Sequence, residues 1–153
     1  MLVSWRKVPS ALPEEEISSA ELESVSATSP NDVWAVGNYV TAPPMARFHS
    51  FVEHWDGEHW TQTASPRGDQ GAAILYGVSS VTTGDAWTVG YRLRPSRTVT
   101  DHWDGAEWAE VESPDPGLLF AVDASSADNA WAVGGRANRT LIERWDGHVW
   151  SVS

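Results

Sequence analysis

Six arginines, Arg47, Arg92, Arg94, Arg97, Arg136 and Arg139, stand in three polar segments, "NYVTAPPMARFHS", "YRLRPSR" and "GRANR". They are six of the ten basic residues in a chain with 21 aspartates and glutamates and a formal net charge of -11. The planar guanidinium fork suits carboxylates and phosphates, and gathering such groups on one set of loops focuses positive potential there. The chemistry implied is capture of an anionic or polar small ligand, or of a protein partner, with Tyr39, Phe48, His49 and Tyr91 as neighbouring contacts. A second chemistry is open to the same loops. His49 and the run Glu14, Glu15, Glu16 could serve as acid and base while Arg47 or Arg92 holds an anionic intermediate, as a cyclase or hydrolase requires. The blander reading has the arginines paired with nearby acids on exposed loops and the glutamate run as a solvated linker.

Other chemistries find less support. His54 and His59 with Glu53 and Glu58 suggest metal ligands, but the corresponding positions hold His102 with Glu107, then Arg144 with Val149. A set that dissolves in this way reads as an exposed strand face, and no metal is expected. The absence of cysteine excludes disulfides, thiol nucleophiles and cysteine-bound zinc. Neither a phosphate-binding loop, nor a nucleophile elbow, nor a dinucleotide fingerprint occurs, so no cofactor is expected. The acidic balance repels phosphate backbones and anionic lipid, which argues against nucleic acid and membrane partners. No apolar run approaches the ~20 residues that span a bilayer, nor does the N-terminus read as a signal peptide. A cytoplasmic chain is the simplest expectation, or a secreted one if a leader has been removed.

The elements that must position these loops are legible as repeats. "DVWAVG", "DAWTVG" and "NAWAVG" place Trp34, Trp87 and Trp131 three residues before Gly37, Gly90 and Gly134. "EHWDGEHW", "DHWDGAEW" and "ERWDGHVW" follow each in turn. Spacings of roughly 40 to 50 residues belong to blade-type repeats. Each repeat reads as four short strands, a to d: an alternating segment such as "LESVSA", the tryptophan-to-glycine segment, the segment ending at the Asp-Gly turn, and the segment after it. The arginine-bearing segments are the b-to-c loops. Helical periodicity is absent.

Asp-Gly between strand residues is a hairpin signal, because both tolerate the positive φ of a tight turn. A two-residue loop sets Trp55 opposite Glu58, and a four-residue loop sets it opposite Trp60. Either register puts Trp55 and Trp60 on one face of the sheet, as it does Trp103 with Trp108 and Trp145 with Trp150. Such a face has to be covered, and stacking blade on blade covers it. Nine of the ten tryptophans occupy these recurring positions and read as core rather than as sugar-stacking platforms.

The order of glycine-terminated strand, variable loop, apolar strand, aspartate turn and tryptophan resembles the kelch-type repeat of β-propellers, most closely in "WAVGG...LIERWDGHVW". It is more similar still to bacterial propeller repeats of the WDG-x-x-W type. Repeats one and two depart from the kelch pattern, with Asn38 and Tyr91 in place of the second glycine. The resemblance implies an all-β propeller of four-stranded antiparallel blades: residues 1–19 an N-terminal strand and connector, 20–66 blade 1, 67–114 blade 2 and 115–153 blade 3. Propellers close with about four to eight blades, so three per chain suggest half of a six-bladed ring, completed by a homodimer. The alternatives are a scaffold or a piece of a longer propeller. "SWRKVPS", around Trp5, reads as a further strand d that could pair, from Trp5 to Val8, with blade 3 of the same or the partner chain, although "VWSVS" already supplies blade 3 with a strand d and one of the two is surplus.

Overall fold

Each repeat folds into one four-stranded antiparallel sheet, its strands in chain order from a to d. The protein is described from a computed structural model, covering residues 6–65, 73–114 and 117–153. Blade 1 comprises β1 (Ile17–Ser29), β2 (Asp32–Thr41), β3 (Phe48–Trp55) and β4 (Trp60–Gln62). Blade 2 comprises β5 (Ala73–Thr82), β6 (Asp85–Leu93), β7 (Ser96–Trp103) and β8 (Trp108–Glu110). Blade 3 comprises β9 (Leu118–Ser126), β10 (Asn129–Arg136), β11 (Arg139–Trp145) and β12 (Trp150–Val152). No helix occurs among the described residues.

The register of the Asp-Gly hairpin is the four-residue one: Trp55 pairs with Trp60, Trp103 with Trp108 and Trp145 with Trp150. Their ring centroids lie 5.7, 5.8 and 6.0 Å apart. Gly57, Gly105 and Gly147 hold φ near 100°, at 102°, 97° and 95°, where a side chain would be strained. The aspartate before each glycine closes the turn from inside. Asp56 Oδ1 accepts the N–H groups of Glu58 and His59, both at 2.8 Å, and Asp104 and Asp146 repeat the arrangement. These backbone donors favour the ionised form and hold all three carboxyls below the usual aspartate pKa. A depressed folded pKa contributes stability above the unfolded value and loses it as pH falls through the folded value. The urea midpoint is therefore expected to drop below about pH 4. The triple variant Asp56→Asn, Asp104→Asn, Asp146→Asn should show a shallower drop; an unchanged pH profile would deny the turns this role.

The blades are joined by a repeated tryptophan clip. Call the face of each sheet that meets the next blade its leading face, and the opposite one its trailing face. Trp34 on the leading face of blade 1 enters between Trp103, at 4.9 Å, and Trp108, at 5.0 Å, of blade 2. Trp87 enters between Trp145 and Trp150 of blade 3 at 4.9 and 5.1 Å, edge-on to the second ring as before. Both inserted rings are fully buried. Val36, Val52, Leu75 and Val99 complete the first joint; Val89, Leu119 and Leu141 complete the second. Aromatic pairs at such separations add to what area burial alone provides. Trp55, Trp103 and Trp145 are also tied into their own blades, each indole N–H donating to a carbonyl of the a-to-b turn (Pro30, Thr83 and Ala127) at 3.0–3.2 Å.

Three expectations are corrected. Glu53 does not lie on an exposed strand face. It is 1% exposed, and Asp101 and Glu143 at the same repeat position are 1% and 0% exposed. The cause is alternation: these residues share the trailing face with Trp55, Trp103 and Trp145, which the preceding segment covers. Ser113, just after strand d of blade 2, donates to Glu143 Oε1 at 2.8 Å, and Ser10 donates to Glu53 Oε1 at 2.7 Å. Second, residues 6–8 form no strand with blade 3 of the same chain. Trp5 lies outside the described residues, residues 6–9 carry no strand, and Ser10 with the Ala11 N–H lies against Glu53 of blade 1. Blade 3 is closed by its own β12. Third, Trp131 is not core: it is 40% exposed, with no described blade packed on its face.

Candidate ligand-binding face

The b-to-c loops and the ends of the d strands lie at one end of the blades, since both connect strands there. In blade 2 the loop is a tight turn between Leu93 and Ser96, which face each other across the ladder. In blade 3 it is the Ala137–Asn138 turn, with Ala137 at φ 51°, in the left-handed region. Beside each loop, the start of strand c and the residues following the start of strand d border a cleft. The three clefts are of about 260, 210 and 650 Å³ in blades 1, 2 and 3.

The structure deals the six arginines to separate blades: Arg47 to blade 1, Arg92, Arg94 and Arg97 to blade 2, Arg136 and Arg139 to blade 3. In blade 2 the cleft is occupied by an internal ion pair, Arg97 with Glu110. There the bland reading of a loop arginine holds. Both partners are substantially exposed, and such a surface pair contributes little to stability. Arg92 faces Arg97 across β6 and β7, Arg94 is exposed in the turn, and the Tyr91 hydroxyl bonds to Ser96.

Blade 3 repeats the cross-strand arginine pair beside a larger cleft. Arg136 and Arg139 face each other directly across β10 and β11, both exposed, at the edge of the largest of the three clefts, which Asn138, Thr140 and Val152 also line. An anion in this cleft can accept N–H donors from both side chains at once.

Blade 1 assembles the histidine site. Tyr39 stacks on His49 with centroids 4.8 Å apart and planes 11° apart, and its hydroxyl donates to Glu15 Oε1 at 2.7 Å. The connector is held there by the Ala42 N–H donating to the Glu16 carbonyl at 2.9 Å. His49 lines two clefts, the one of about 260 Å³ and another of about 450 Å³ that Glu15, Glu16 and Arg47 also border. Its Nε2 is buried without a hydrogen-bond partner. Sequence reasoning thus named four residues, Tyr39, His49, Glu15 and Arg47, that the fold brings to one place. Tyr39 itself is buried, so it acts as the wall that sets His49 and Glu15, while Glu14 and Phe48 are exposed.

The chain is similar in fold to solved structures. One, "YCF48 bound to D1 peptide", superposes with a TM-score of 0.64 at 19% identity over 95% of this chain and 46% of that one. Another, a fucose lectin from Kordia zhangzhouensis in complex with methyl-fucoside, gives a TM-score of 0.55 at 12% identity over 84% of this chain and 96% of that one. The chain folds as a three-bladed β-propeller unit. It spans about half the length of the YCF48 chain and nearly all of the lectin chain. No family model matches the sequence, and no curated protein matches it. The likeness is therefore one of fold, and the kelch-type resemblance goes no further than the order of strands and turns.

Proposed function

We propose that this protein is a binding module whose loop face takes an anionic small ligand in the blade 3 cleft, between Arg136 and Arg139. The observation that carries the reading is that these two cross-strand partners both line the cleft of about 650 Å³, the largest of the three beside the b-to-c loops, in a chain of net charge -11. A carboxylate, sulfate or phosphate in the cleft would meet planar guanidinium donors from both strands. The two structural neighbours, one bound to a peptide and the other to a methyl-fucoside, support a binding role in general. Proton-transfer chemistry has less support: Glu15 is engaged by the Tyr39 hydroxyl, and His49 Nε2 is buried. We also propose that two chains complete one six-bladed ring, because the stack leaves apolar blade faces open at both ends.

Calorimetric titration with glucuronate, inorganic phosphate and the neutral methyl-fucoside tests the ligand class. The acidic probes should bind more tightly than the neutral sugar. Because a hydrogen bond to a charged group contributes about 1.5–3 kcal/mol, the double variant Arg136→Gln, Arg139→Gln should weaken them by at least about tenfold. Arg94→Gln should change little. Equal binding of the neutral sugar, or unaltered affinity in the double variant, would overturn the assignment.

A further inference from the structure

The two ends of the stack carry the two halves of the joint that the chain makes twice internally. The leading half consists of Trp34, Val36 and Val52 in blade 1, and of Trp87, Val89 and Thr100 in blade 2, all at most 2% exposed. Their counterparts in blade 3 are Trp131, Val133 and Ile142, at 40, 45 and 41% exposed. The trailing half includes Leu75 and Val78 in blade 2, and Leu119 and Val122 in blade 3. Its counterparts in blade 1 are Leu22 and Val25, 46 and 66% exposed, beside the Trp55–Trp60 pair. That pair stands 5.7 Å apart, against 5.8 and 6.0 Å in the two clips that hold a tryptophan. The vacant clip is therefore already set to the spacing of an occupied one.

The opposite half is equally prepared. Trp34 and Trp87 are flanked by His54 and His102 at 4.4 and 4.5 Å; Trp131 is flanked by Arg144, whose guanidinium lies 5.4 Å from the indole centroid. A hydrogen bond also recurs across each joint. The hydroxyl oxygen of Ser26 accepts the Ser80 N–H at 3.0 Å, and that of Ser79 accepts the Ala124 N–H at 2.9 Å. In blade 3 the acceptor position is Asp123, exposed, and in blade 1 the donor position is the Ala27 N–H.

We propose that Trp131 of one chain inserts between Trp55 and Trp60 of a second copy, with Asp123 accepting the second copy's Ala27 N–H. This rests on the reading that two chains complete a ring, and it names the contact that joins them. Each copy offers both halves, so a two-fold pair makes two identical joints and leaves no end open. The occupant is a second copy rather than an unrelated protein because every element of the missing partner face, the clip, the two aliphatic contacts and the N–H donor, is found on the other end of this same chain.

The test is solution mass by light scattering over a dilution series. The wild type should show twice the chain mass of 16.7 kDa. Trp131→Glu and Val25→Glu alter exposed side chains at opposite ends, so each should fold, as judged by circular dichroism, and each should be a monomer. Mixing the two variants is the decisive step. In the mixed pair one joint carries both substitutions and the other carries none, so dimer mass should return. A wild-type monomer at every concentration, with or without a different protein bound at these faces, would overturn both the ring and the joint. A wild-type dimer that neither substitution dissociates, or variants that stay monomeric when mixed, would overturn the joint while leaving the two-chain reading intact.

Discussion

Trp87→Ala is expected to destabilise the protein by about 3–5 kcal/mol, as truncating a fully buried large aromatic does. The indole is 0% exposed and is wedged between Trp145 and Trp150 of the next blade, with His102 on its own blade beside it. Its Nε1 has no hydrogen-bond partner, so what is lost is packing, together with the cavity that rigid neighbouring sheets cannot collapse into. Blade 3 meets the rest of the chain through this joint. Urea unfolding of the variant should therefore separate blade 3 from blades 1 and 2 as an earlier transition, visible in the fluorescence of Trp145 and Trp150. A single transition displaced by less than about 1 kcal/mol would mean that the clip does not hold the blades together.

Gly134→Ala should be as damaging, whereas its neighbour Gly135→Ala should be close to neutral. A Cβ on Gly134 would be driven into the backbone carbonyl oxygen of Leu118, far inside contact distance, because β9 passes over the glycine where its register shifts. Gly37 and Gly90 meet the carbonyls of Glu21 and Ile74 in the same way. Relief requires moving the innermost strand of the blade, at a cost of about 3 kcal/mol or more. On Gly135 the nearest atom to a new Cβ is the Arg139 carbonyl oxygen at 3.6 Å, an ordinary contact. The alanine there can even stabilise slightly by restricting the unfolded chain. Thermal unfolding of the two variants side by side checks the contrast, and equal effects would contradict it.

These two residues show how far the sequence could be read. The parity of the Asp-Gly hairpin placed both tryptophans on one face whatever the loop length, so the need for blade stacking was legible without knowing the register. Loop positions were legible only approximately, because strand b runs on past Gly37, Gly90 and Gly134 to Thr41, Leu93 and Arg136. The depth of Trp131 was not legible. Its local sequence, "NAWAVG", is nearly that of Trp34 in "DVWAVG", and what distinguishes the exposed ring from the buried one is that no described blade packs on its face. Glu53 was misread for a related reason. A charged residue two before each WDG tryptophan looks solvated, yet alternation puts it on the trailing face, where Ser10 and Ser113 supply hydroxyl donors from outside the repeat. Recurrence of an acid at that position was the available signal. Of the six arginines read as loop residues, Arg47 and Arg94 lie between strands, whereas Arg92, Arg97, Arg136 and Arg139 lie in the strands that flank the turns; their division among three blades, and the Arg97–Glu110 pair that occupies one cleft, follow from strand pairing across the sheet, which linear spacing does not display.

The most direct test of the binding face is to watch the arginines themselves. With nine arginines in the chain, the side-chain Nε–Hε signals of isotopically labelled protein form a small set that single Arg→Gln variants can assign. Titration with glucuronate should move the signals of Arg136 and Arg139 together and saturably, with Arg97, held by Glu110, and Arg144, over Trp131, nearly still. Shifts confined to Arg47 would place the ligand in the clefts around His49 of blade 1, and uniform small shifts across all arginines would reduce the effect to charge screening; either result would contradict a site between Arg136 and Arg139.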